Sequence, residues 1–245
     1  MTLPTVRADP YPWPFDGAWT PANTALMLID LQVDFCKEGG YVHQMGESVA
    51  DTGAVIAPTQ AVLAAARAAG LRVIHTREGH RPDLSDLNPN KLWRSERMGA
   101  AIGSAGPCGR ILTRGEPGWE IVPELAPLPH EPVIDKPGKG AFHATDLDML
   151  LQRAGIRNLV FTGVTTDCCV HTTMRDANDR GYECLLLSDC CAATSRANHE
   201  AVLRITAMGN GLFGCVAPSS ELLAALRQAQ GKAAQHPLLH RRPAG

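Results

Sequence analysis

The chain has 245 residues, 44% of them hydrophobic, and a formal net charge of -2, which fits one large globular domain or two small ones. No run of like charge stands out, so we do not expect nucleic acid as a partner. No apolar stretch approaches the ~20 residues that cross a bilayer, and the first residues do not resemble a secretory signal. We therefore expect a cytoplasmic protein without membrane association.

Eight cysteines would form a disulfide framework in a short secreted chain, but this chain fits neither description. They lie at positions 36, 108, 168, 169, 184, 190, 191 and 215. No two have the C-x-x-C spacing, which argues against a structural zinc site and against a redox pair. Most of them are predicted to be reduced, buried packing groups.

Residues 1–23 form the first predicted unit, an arm in which five prolines alternate with Tyr11, Trp13 and Phe15. Prolines at this density exclude a helix or a central strand. We expect an ordered arm whose aromatic side chains pack on a surface, such as that of a neighbouring subunit.

Short apolar runs then alternate with helical patterns as far as residue 228. Six strands are predicted at 24–29, 71–76, 132–135, 158–164, 183–188 and 212–217, and helices at 54–69, 145–154, 195–208 and 221–228. This alternation predicts βαβ units, and hence an α/β domain over residues 24–230: a three-layer α/β/α, doubly wound domain with a mainly parallel six-stranded sheet.

Two segments do not follow the pattern. Residues 77–131 are rich in Gly and Pro and contain Trp93 and Trp119, which predicts an ordered excursion that covers a pocket or contacts a partner subunit. Residues 231–245 have little to bury and are predicted to be a flexible tail.

Reactive side chains follow three of the predicted strands. Asp30 ends the first strand, Lys136 ends the third, and Cys168 and Cys169 open the helix after the fourth. Because ligands bind at the carboxyl ends of parallel strands, these groups should converge at one edge. Each alone is more often a cap, a surface charge or a packing group.

The combination has a chemical meaning that the single residues lack. A thiol at a helix N-terminus is favoured as thiolate, a nearby Asp can take its proton, and a Lys can keep that Asp ionised and stabilise negative charge. Together these groups suit nucleophilic attack on an amide carbonyl.

Three blocks resemble the isochorismatase-like cysteine hydrolases over residues 24–225. They are L-I-D-L-Q-V-D-F at 28–35, Lys136 followed by G-A-F at 140–142, and T-G-V-T-T-D-C-C-V at 162–170. The resemblance implies the catalytic triad Asp30, Lys136 and Cys169, with Phe35 in the substrate pocket. It also implies a cis peptide bond between Val164 and Thr165, an oxyanion hole formed by the N–H groups of Thr165 and Cys169, and a homo-oligomer, commonly a tetramer.

Two choices within these blocks rest on spacing. The family places its nucleophile directly before Val, which favours Cys169 over Cys168, and the distance to G-A-F favours Lys136 over Lys139. The related nicotinamidases bind a metal through D-x-H and further histidines. Here that place reads Glu78-Gly79-His80 without convincing further ligands, so we expect no metal and no cofactor, and a hydrogen-bonding role for His80.

Further segments resemble the biuret hydrolase branch of the family. They include D-P-Y-P-W-P at 9–14, H-T-R-E-G-H-R-P-D-L at 75–84 and G-P-C-G-R at 106–110. That branch deaminates small linear ureides. Where it carries a substrate-contacting Gln, this chain has Gly209, or Asn210 one step later, which either opens space for the longer ureide triuret or is a neutral change in a loop.

The function predicted from the sequence is therefore the deamination of biuret or triuret through a covalent S-acyl intermediate. Within the family, a ureidoacrylate hydrolase or a nicotinamidase is an alternative. Isochorismatase action itself is disfavoured, because cleavage of that vinyl ether does not need the cysteine. An alternative from another class is a non-catalytic binding or thiol-sensing protein, which the complete Asp, Lys and Cys set disfavours.

Overall fold

The computed structural model describes residues 2–235, which form a three-layer α/β/α domain around one large parallel sheet. The sheet has six strands in the order β5-β2-β1-β6-β7-β8, with every neighbouring pair parallel. The predicted fold class is confirmed. The strands, including a separate two-stranded hairpin formed by β3 and β4, are β1 Thr24–Ile29, β2 Arg72–Glu78, β3 Ala105–Gly106, β4 Gly109–Arg110, β5 Val133–Lys136, β6 Asn158–Val164, β7 Glu183–Ala192 and β8 Cys215–Ala217.

Nine α-helices occur in the described residues, together with three tighter or wider helical turns. Short 3₁₀ turns lie at Pro117–Trp119 and Pro123–Leu125, and a π-helical turn lies at Thr166–Val170. The α-helices are α1 Val33–Cys36, α2 Tyr41–Gln44, α3 Ala50–Ala54, α4 Ile56–Ala69, α5 Pro89–Arg97, α6 Leu147–Arg153, α7 His171–Asp179, α8 Arg196–Gly211 and α9 Ser219–Gln235. None of these helices has the length and apolar character needed to cross a membrane.

The sheet separates two hydrophobic cores because successive side chains of each strand point to opposite faces. In β1, Leu26 and Leu28 join one core, whereas Met27 and Ile29 join the other. Helices α4 and α9 cover the first face, and α6 and α7 cover the second. All six side chains of β1 are buried, which explains why this central strand reads as a continuous apolar run.

The structure changes several predicted boundaries. Strand β2 extends to Glu78, two residues beyond its predicted end, β7 reaches Ala192, and β8 is shorter than predicted. Within α8, Met208 to Asn210 leave the helical conformation, so the regular helix ends near its predicted boundary. Helix α9 continues to Gln235, so residues 231–235 of the predicted flexible tail are helical, while 236–245 lie outside the described residues.

The N-terminal arm packs on its own domain. Trp13 and Trp19 are fully buried in the first core, with ring centroids 5.3 Å apart. Asp9 pairs with Val216 of β8 through backbone hydrogen bonds in both directions, of 2.9 and 2.8 Å. Phe15 alone among the arm's predicted aromatics remains largely exposed, at 72%. The arm is thus ordered, as predicted, but this domain supplies the surface on which both tryptophans pack.

The 77–131 excursion is ordered and contains α5, the β3–β4 hairpin and both 3₁₀ turns. Trp119 is buried, and the guanidinium of Arg77 lies 3.5 Å from the centroid of its ring. Trp93 on α5 is 57% exposed and lines a cavity beside the sheet edge. The prediction that this excursion covers a pocket agrees with that placement.

A buried carboxylate closes the opposite end of the sheet and gives a prediction for acid stability. Glu131 accepts two hydrogen bonds of 2.8 Å from Arg67 and one contact of 3.0 Å from His75. Burial opposes ionisation, but the hydrogen bonds from Arg67, the Leu128 N–H and His75 together outweigh it and lower the pKa of Glu131 from 4.5 to about 2. Glu131 therefore stabilises the fold above pH 4.5, and that contribution is lost as the pH falls toward 2.

We predict that Glu131→Gln lowers the free energy of unfolding at neutral pH by about 2–3 kcal/mol. Urea titrations of both proteins at several pH values measure this. The difference between them should shrink as the pH falls, because the wild-type carboxylate becomes protonated. The exposed Glu124, paired with Lys37, gives the control Glu124→Gln. A difference between wild type and Glu131→Gln that stays constant through the acid range would contradict the prediction.

Candidate active site

A buried ion pair lies at the carboxyl edge of the sheet. Asp30 follows β1 and Lys136 ends β5, two strands away, with β2 between them. The ammonium of Lys136 lies 2.7 Å from Asp30 Oδ2, and both side chains are 0% exposed. The Thr76 hydroxyl donates to Asp30 Oδ1 at 2.6 Å. The carboxylate is therefore held by a donor at each oxygen.

Glu78 joins this pair from the strand in between. It lies opposite Lys136 in the β2–β5 register, and its Oε2 is 3.5 Å from the Lys136 ammonium. The Cys169 thiol donates a hydrogen bond of 3.1 Å to the same Oε2. Two carboxylates, one ammonium and one thiol thus meet at a single point.

The Cys169 thiol is positioned by a tight turn after β6. Gly163 has a φ of 121°, and a Cβ there would overlap the carbonyl oxygen of Ile29 in the adjacent strand. The Val164–Thr165 peptide bond at the end of the strand is cis, in agreement with the resemblance. Cys168 and Val170 N–H then both donate to the Thr165 carbonyl, at 3.1 and 3.2 Å. In residues 2–235 the Thr165 N–H makes no backbone hydrogen bond.

Burial and charge give the two carboxylates different proton affinities. Burial raises the pKa of Asp30, and the opposing attraction of Lys136 does not cancel it. Burial also acts on Glu78, but Lys136, Lys91 and Lys139 outweigh it and lower the pKa of Glu78 to about 2. Lys136 stays charged, because Asp30 and the other neighbours overcome the effect of burial and raise its pKa. Asp30 is therefore the stronger base of the two carboxylates.

The Cys169 thiol is protonated in this arrangement. The neighbouring Cys168 side chain, followed by burial, raises the pKa of Cys169 well above its ordinary value, and Lys136 opposes this only in part. The sequence argument expected a thiolate from the helix N-terminus. Burial and the carboxylates of Glu78 and Asp30 outweigh that effect here. For Cys168, the neighbouring Cys169 side chain lowers the pKa, helped by Lys139.

The same cluster is the one group of potential metal ligands in the described residues. Atoms of Asp30, Glu78 and Cys169 lie within 4.8 Å of one another. The Lys136 ammonium, however, lies 2.7 Å from one of these carboxylates and 3.5 Å from the other. A divalent ion at this place would share both carboxylates with an existing cation, so the residues do not fit a metal.

A cavity of about 630 Å³ opens above the thiol. Cys169, Glu78 and Thr165 are among its lining residues. Its apolar walls come from α2 and α5 and from residues close to them, namely Phe35, Tyr41, Val42, Met45, Trp93, Met98 and Ile102. Four cationic side chains also line it, namely Lys91, Arg94, Arg97 and Lys139. The cavity can hold a small molecule that is rich in hydrogen-bond acceptors or negatively charged.

The predicted site residues fall into two sets. Asp30 and Lys136 meet behind the thiol of Cys169, and Phe35 and Thr165 line the cavity. Gly209 and Asn210 lie in the turn that ends α8, with φ near +60°. Neither is among the cavity-lining residues in the part of the chain that the structure describes. Their predicted substrate contact has no support from the cavity within this chain.

Of the two residues weighed as metal ligands, only Glu78 reaches the site. His80 is buried, and its Nδ1 lies 3.2 Å from Asp86, so it is a hydrogen-bonding residue, as expected. The sequence argument did not assign a role to Glu78 and did not single out Lys91. Glu78 could have been found by the rule that selected Asp30 and Lys136, because it ends a neighbouring strand.

The sequence of this chain matches a known protein family. The family model for the isochorismatase domain matches residues 24–215. The chain belongs to the isochorismatase family. This match confirms the family named from the three sequence blocks and covers the strands that carry Asp30, Lys136 and Cys169.

Curated relatives and solved structures agree with the assignment. Ureidoacrylate amidohydrolase RutB of Pantoea ananatis is 35% identical over 74% of this chain and 73% of its own length. RutB of Methylorubrum extorquens is 36% identical over 81% of this chain and 78% of its own length. A cysteine hydrolase of Pseudomonas syringae superposes with a TM-score of 0.74 at 30% identity. The match covers 94% of this chain and 100% of that hydrolase. N-carbamoylsarcosine amidase of Thermoplasma acidophilum has a TM-score of 0.62 at 25% identity. The match covers 81% of this chain and 98% of that amidase.

The buried ion pair gives a prediction for stability. Asp30→Asn and Lys136→Met should each lower the free energy of unfolding by about 3–5 kcal/mol, because each leaves a buried charge without its partner. The double variant should lose less than the sum, by more than about 1 kcal/mol. Chemical denaturation of the four proteins measures this coupling.

The exposed Lys37–Glu124 pair, whose atoms lie 2.8 Å apart, provides a matched control. Its coupling energy, from Lys37→Met and Glu124→Gln, should stay below about 1 kcal/mol because solvent screens it. Equal coupling energies for the two pairs would show that burial does not strengthen the Asp30–Lys136 interaction.

Proposed function

We propose that the protein is an amidohydrolase that cleaves the terminal amide C–N bond of a small linear ureide through a covalent intermediate on Cys169. The observation that carries this proposal is the position of the thiol. It lies at the floor of a cavity of about 630 Å³, in contact with a carboxylate and in front of the Asp30–Lys136 pair. The amidohydrolase names of the curated relatives support the same reaction class.

The first half of the reaction forms the C–S bond. Asp30 has an oxygen within 4.8 Å of Cys169 Sγ and, with its raised pKa, is the stronger base of the two carboxylates. It takes the thiol proton as sulfur attacks the terminal carbamoyl carbon. The Thr165 and Cys169 N–H groups stabilise the oxyanion, and the Lys136 ammonium stabilises the ionised Asp30.

The second half releases the products. The C–N bond breaks, and Asp30 returns its proton to the leaving nitrogen, which departs as ammonia. Water then attacks the S-acyl carbon with Asp30 again as base, and the C–S bond breaks to restore the thiol. In this scheme biuret and water give allophanate and ammonia, and triuret and water give carboxybiuret and ammonia.

Biuret and triuret are the main candidate substrates. The segments at 9–14, 75–84 and 106–110 that resemble the biuret hydrolase branch support this choice. The cavity is far larger than biuret and leaves space for the longer ureide. Its cationic lining can donate hydrogen bonds to the several carbonyl oxygens of either molecule.

Ureidoacrylate is the second candidate, and two observations favour it. The curated relatives at 35–36% identity are ureidoacrylate amidohydrolases. Arg94, Arg97 and Lys139 line the cavity and could pair with the carboxylate of such a substrate. Ureidoacrylate also carries a terminal carbamoyl group, so the chemistry at Cys169 would be the same.

A substrate panel separates these candidates. We predict ammonia release from triuret and biuret with a higher kcat/KM than from ureidoacrylate, and none from nicotinamide, whose ring amide lacks the ureide nitrogen. A single continuous ammonia assay with all four compounds at matched concentrations measures this. A kcat/KM that is highest for ureidoacrylate would establish the second candidate, and ammonia from none of them would refute the proposed function.

The nucleophile is tested by three cysteine variants. Cys169→Ser should fold normally and lose at least about 1000-fold in kcat, because the hydroxyl is a far weaker nucleophile. Cys168→Ser should keep activity within about tenfold, since the family's nucleophile position is the other thiol. Cys108→Ser, half-buried and outside the cavity lining, is the control. If Cys168→Ser instead removes turnover and Cys169→Ser retains it, the two roles must be exchanged.

A further inference from the structure

Glu78 is the group that the reactive thiol contacts in the free protein. Its Oε2 accepts the Cys169 hydrogen bond at 3.1 Å. Both oxygens of Asp30 already face other donors, the Thr76 hydroxyl at 2.6 Å and the Lys136 ammonium at 2.7 Å. The proposed function assigns the proton transfer to Asp30 and leaves the contact with Glu78 without a role.

The position of Glu78 is fixed from several sides. Gln32 accepts from the Glu78 N–H at 2.8 Å and donates to its carbonyl at 3.0 Å. Lys91 on α5 binds Oε1 at 2.6 Å and the Pro137 carbonyl at 2.8 Å. The cations around Glu78 keep it ionised, and its pKa of about 2 makes it a poor proton acceptor. Its role is therefore that of a fixed hydrogen-bond acceptor.

Reaction removes the hydrogen bond that Oε2 accepts. Once the thiol proton leaves, Oε2 and the thiolate are two negative atoms at close range, and the Lys136 ammonium lies 3.5 Å away. A buried anionic oxygen without a good donor is costly. Glu78 lines the cavity together with Cys169, and its Oε2 is the oxygen next to the sulfur, so a donor on the substrate can replace the lost S–H bond.

We propose that Glu78 is a further catalytic residue, whose Oε2 accepts an N–H from the leaving nitrogen on the attacked carbamoyl carbon. This inference rests on the proposed function and deepens it. The contact holds the leaving nitrogen next to the thiol and selects substrates in which the leaving atom carries hydrogen. An ester or a substituted nitrogen without hydrogen would leave Oε2 facing the thiolate without a donor.

Lys91 is a positioning residue in this arrangement. It touches Oε1 and leaves Oε2 for the thiol or the substrate. It also lies on α5, the helix whose Trp93 and Arg94 line the cavity. Loss of its charge should leave the negative charge of Glu78 less compensated and raise the pKa of the Cys169 thiol.

The first test measures the thiol itself and does not need turnover. In a Cys168→Ser background, the rate of iodoacetamide alkylation of Cys169 against pH reports the thiol pKa. Glu78→Gln should lower this pKa by about one unit, because a negative charge beside the sulfur is lost. Lys91→Met should raise the thiol pKa. Lys37 is a paired lysine remote from the site, so Lys37→Met should leave the thiol pKa unchanged. Identical pH profiles for Glu78→Gln and its parent would refute the resting contact.

The second test compares an amide with an ester of the same shape. Ammonia release from biuret and methanol release from methyl allophanate differ in whether the leaving atom carries hydrogen. Glu78→Gln should reduce kcat/KM for biuret about 100-fold more than for methyl allophanate, since only biuret loses the contact. Equal losses on both compounds would refute the substrate contact.

Failure of the proposed function would look different from failure of this inference. If the wild-type protein releases nothing from any ureide, the proposed function fails and the substrate contact fails with it. The alkylation profiles would still decide whether Glu78 acts on the Cys169 thiol. If wild type is active on biuret and the amide-to-ester ratio is the same in Glu78→Gln, the proposed function stands and this inference alone is wrong.

Discussion

The ion pair between Asp30 and Lys136 is the constraint on which the rest of the site depends. Both side chains are completely buried, and removing two charges from water is tolerated only when they pair closely and bind further donors and acceptors. The Thr76 hydroxyl donates to Asp30, and the Lys136 ammonium donates to the Gly138 carbonyl. The order β5-β2-β1 therefore has to be formed accurately, because a shift of either outer strand would separate the charges.

Under the proposed function, this pair accounts for a Cys169 thiol that stays protonated in the free protein. The positive charge that would stabilise a thiolate is already engaged by two carboxylates, at 2.7 and 3.5 Å. A buried, protonated cysteine is poorly reactive toward oxidants. Deprotonation becomes favourable when a carbonyl carbon accepts the sulfur electrons, so reactivity is tied to the presence of a carbonyl compound. A thiol-sensing role, the alternative from another class, needs the opposite property.

The part of the site that follows from sheet topology could be predicted from the sequence. Apolar runs identified all six strands, and the rule that parallel strands present their carboxyl ends at one edge brought Asp30, Lys136 and Cys169 together. The catalytic roles of these three residues remain predictions, but their meeting point is a structural fact. It is a long-range consequence of a local pattern, because β1 and β6 are far apart in sequence and adjacent in the sheet.

The same reasoning did not identify Glu78 as a member of the site. Its strand was predicted to end at Thr76, and a difference of two residues removed the carboxylate from the set of strand-end groups. Lys91 lies in a segment without periodicity, so its approach to Glu78 depends on tertiary packing that a linear pattern does not encode. The protonation of Cys169 was missed for a related reason. A pKa reflects the sum of all neighbouring charges and burial, and the helix N-terminus is only one contribution.

The N-terminal arm has a consequence for the order of events during synthesis. Asp9 pairs with Val216 at the edge of the sheet, and Tyr11 donates to Glu183 at 3.0 Å. The ribosome makes the arm early, whereas β8, on which the arm packs, is made near the end of the domain. The arm therefore cannot dock until almost the whole chain has been synthesised. Until the arm docks, Trp13 and Trp19 lack their full surroundings and the outer edge of β8 has no strand beside it. The burial of both tryptophans is therefore a late step in folding, even though they belong to the first part of the chain to be made.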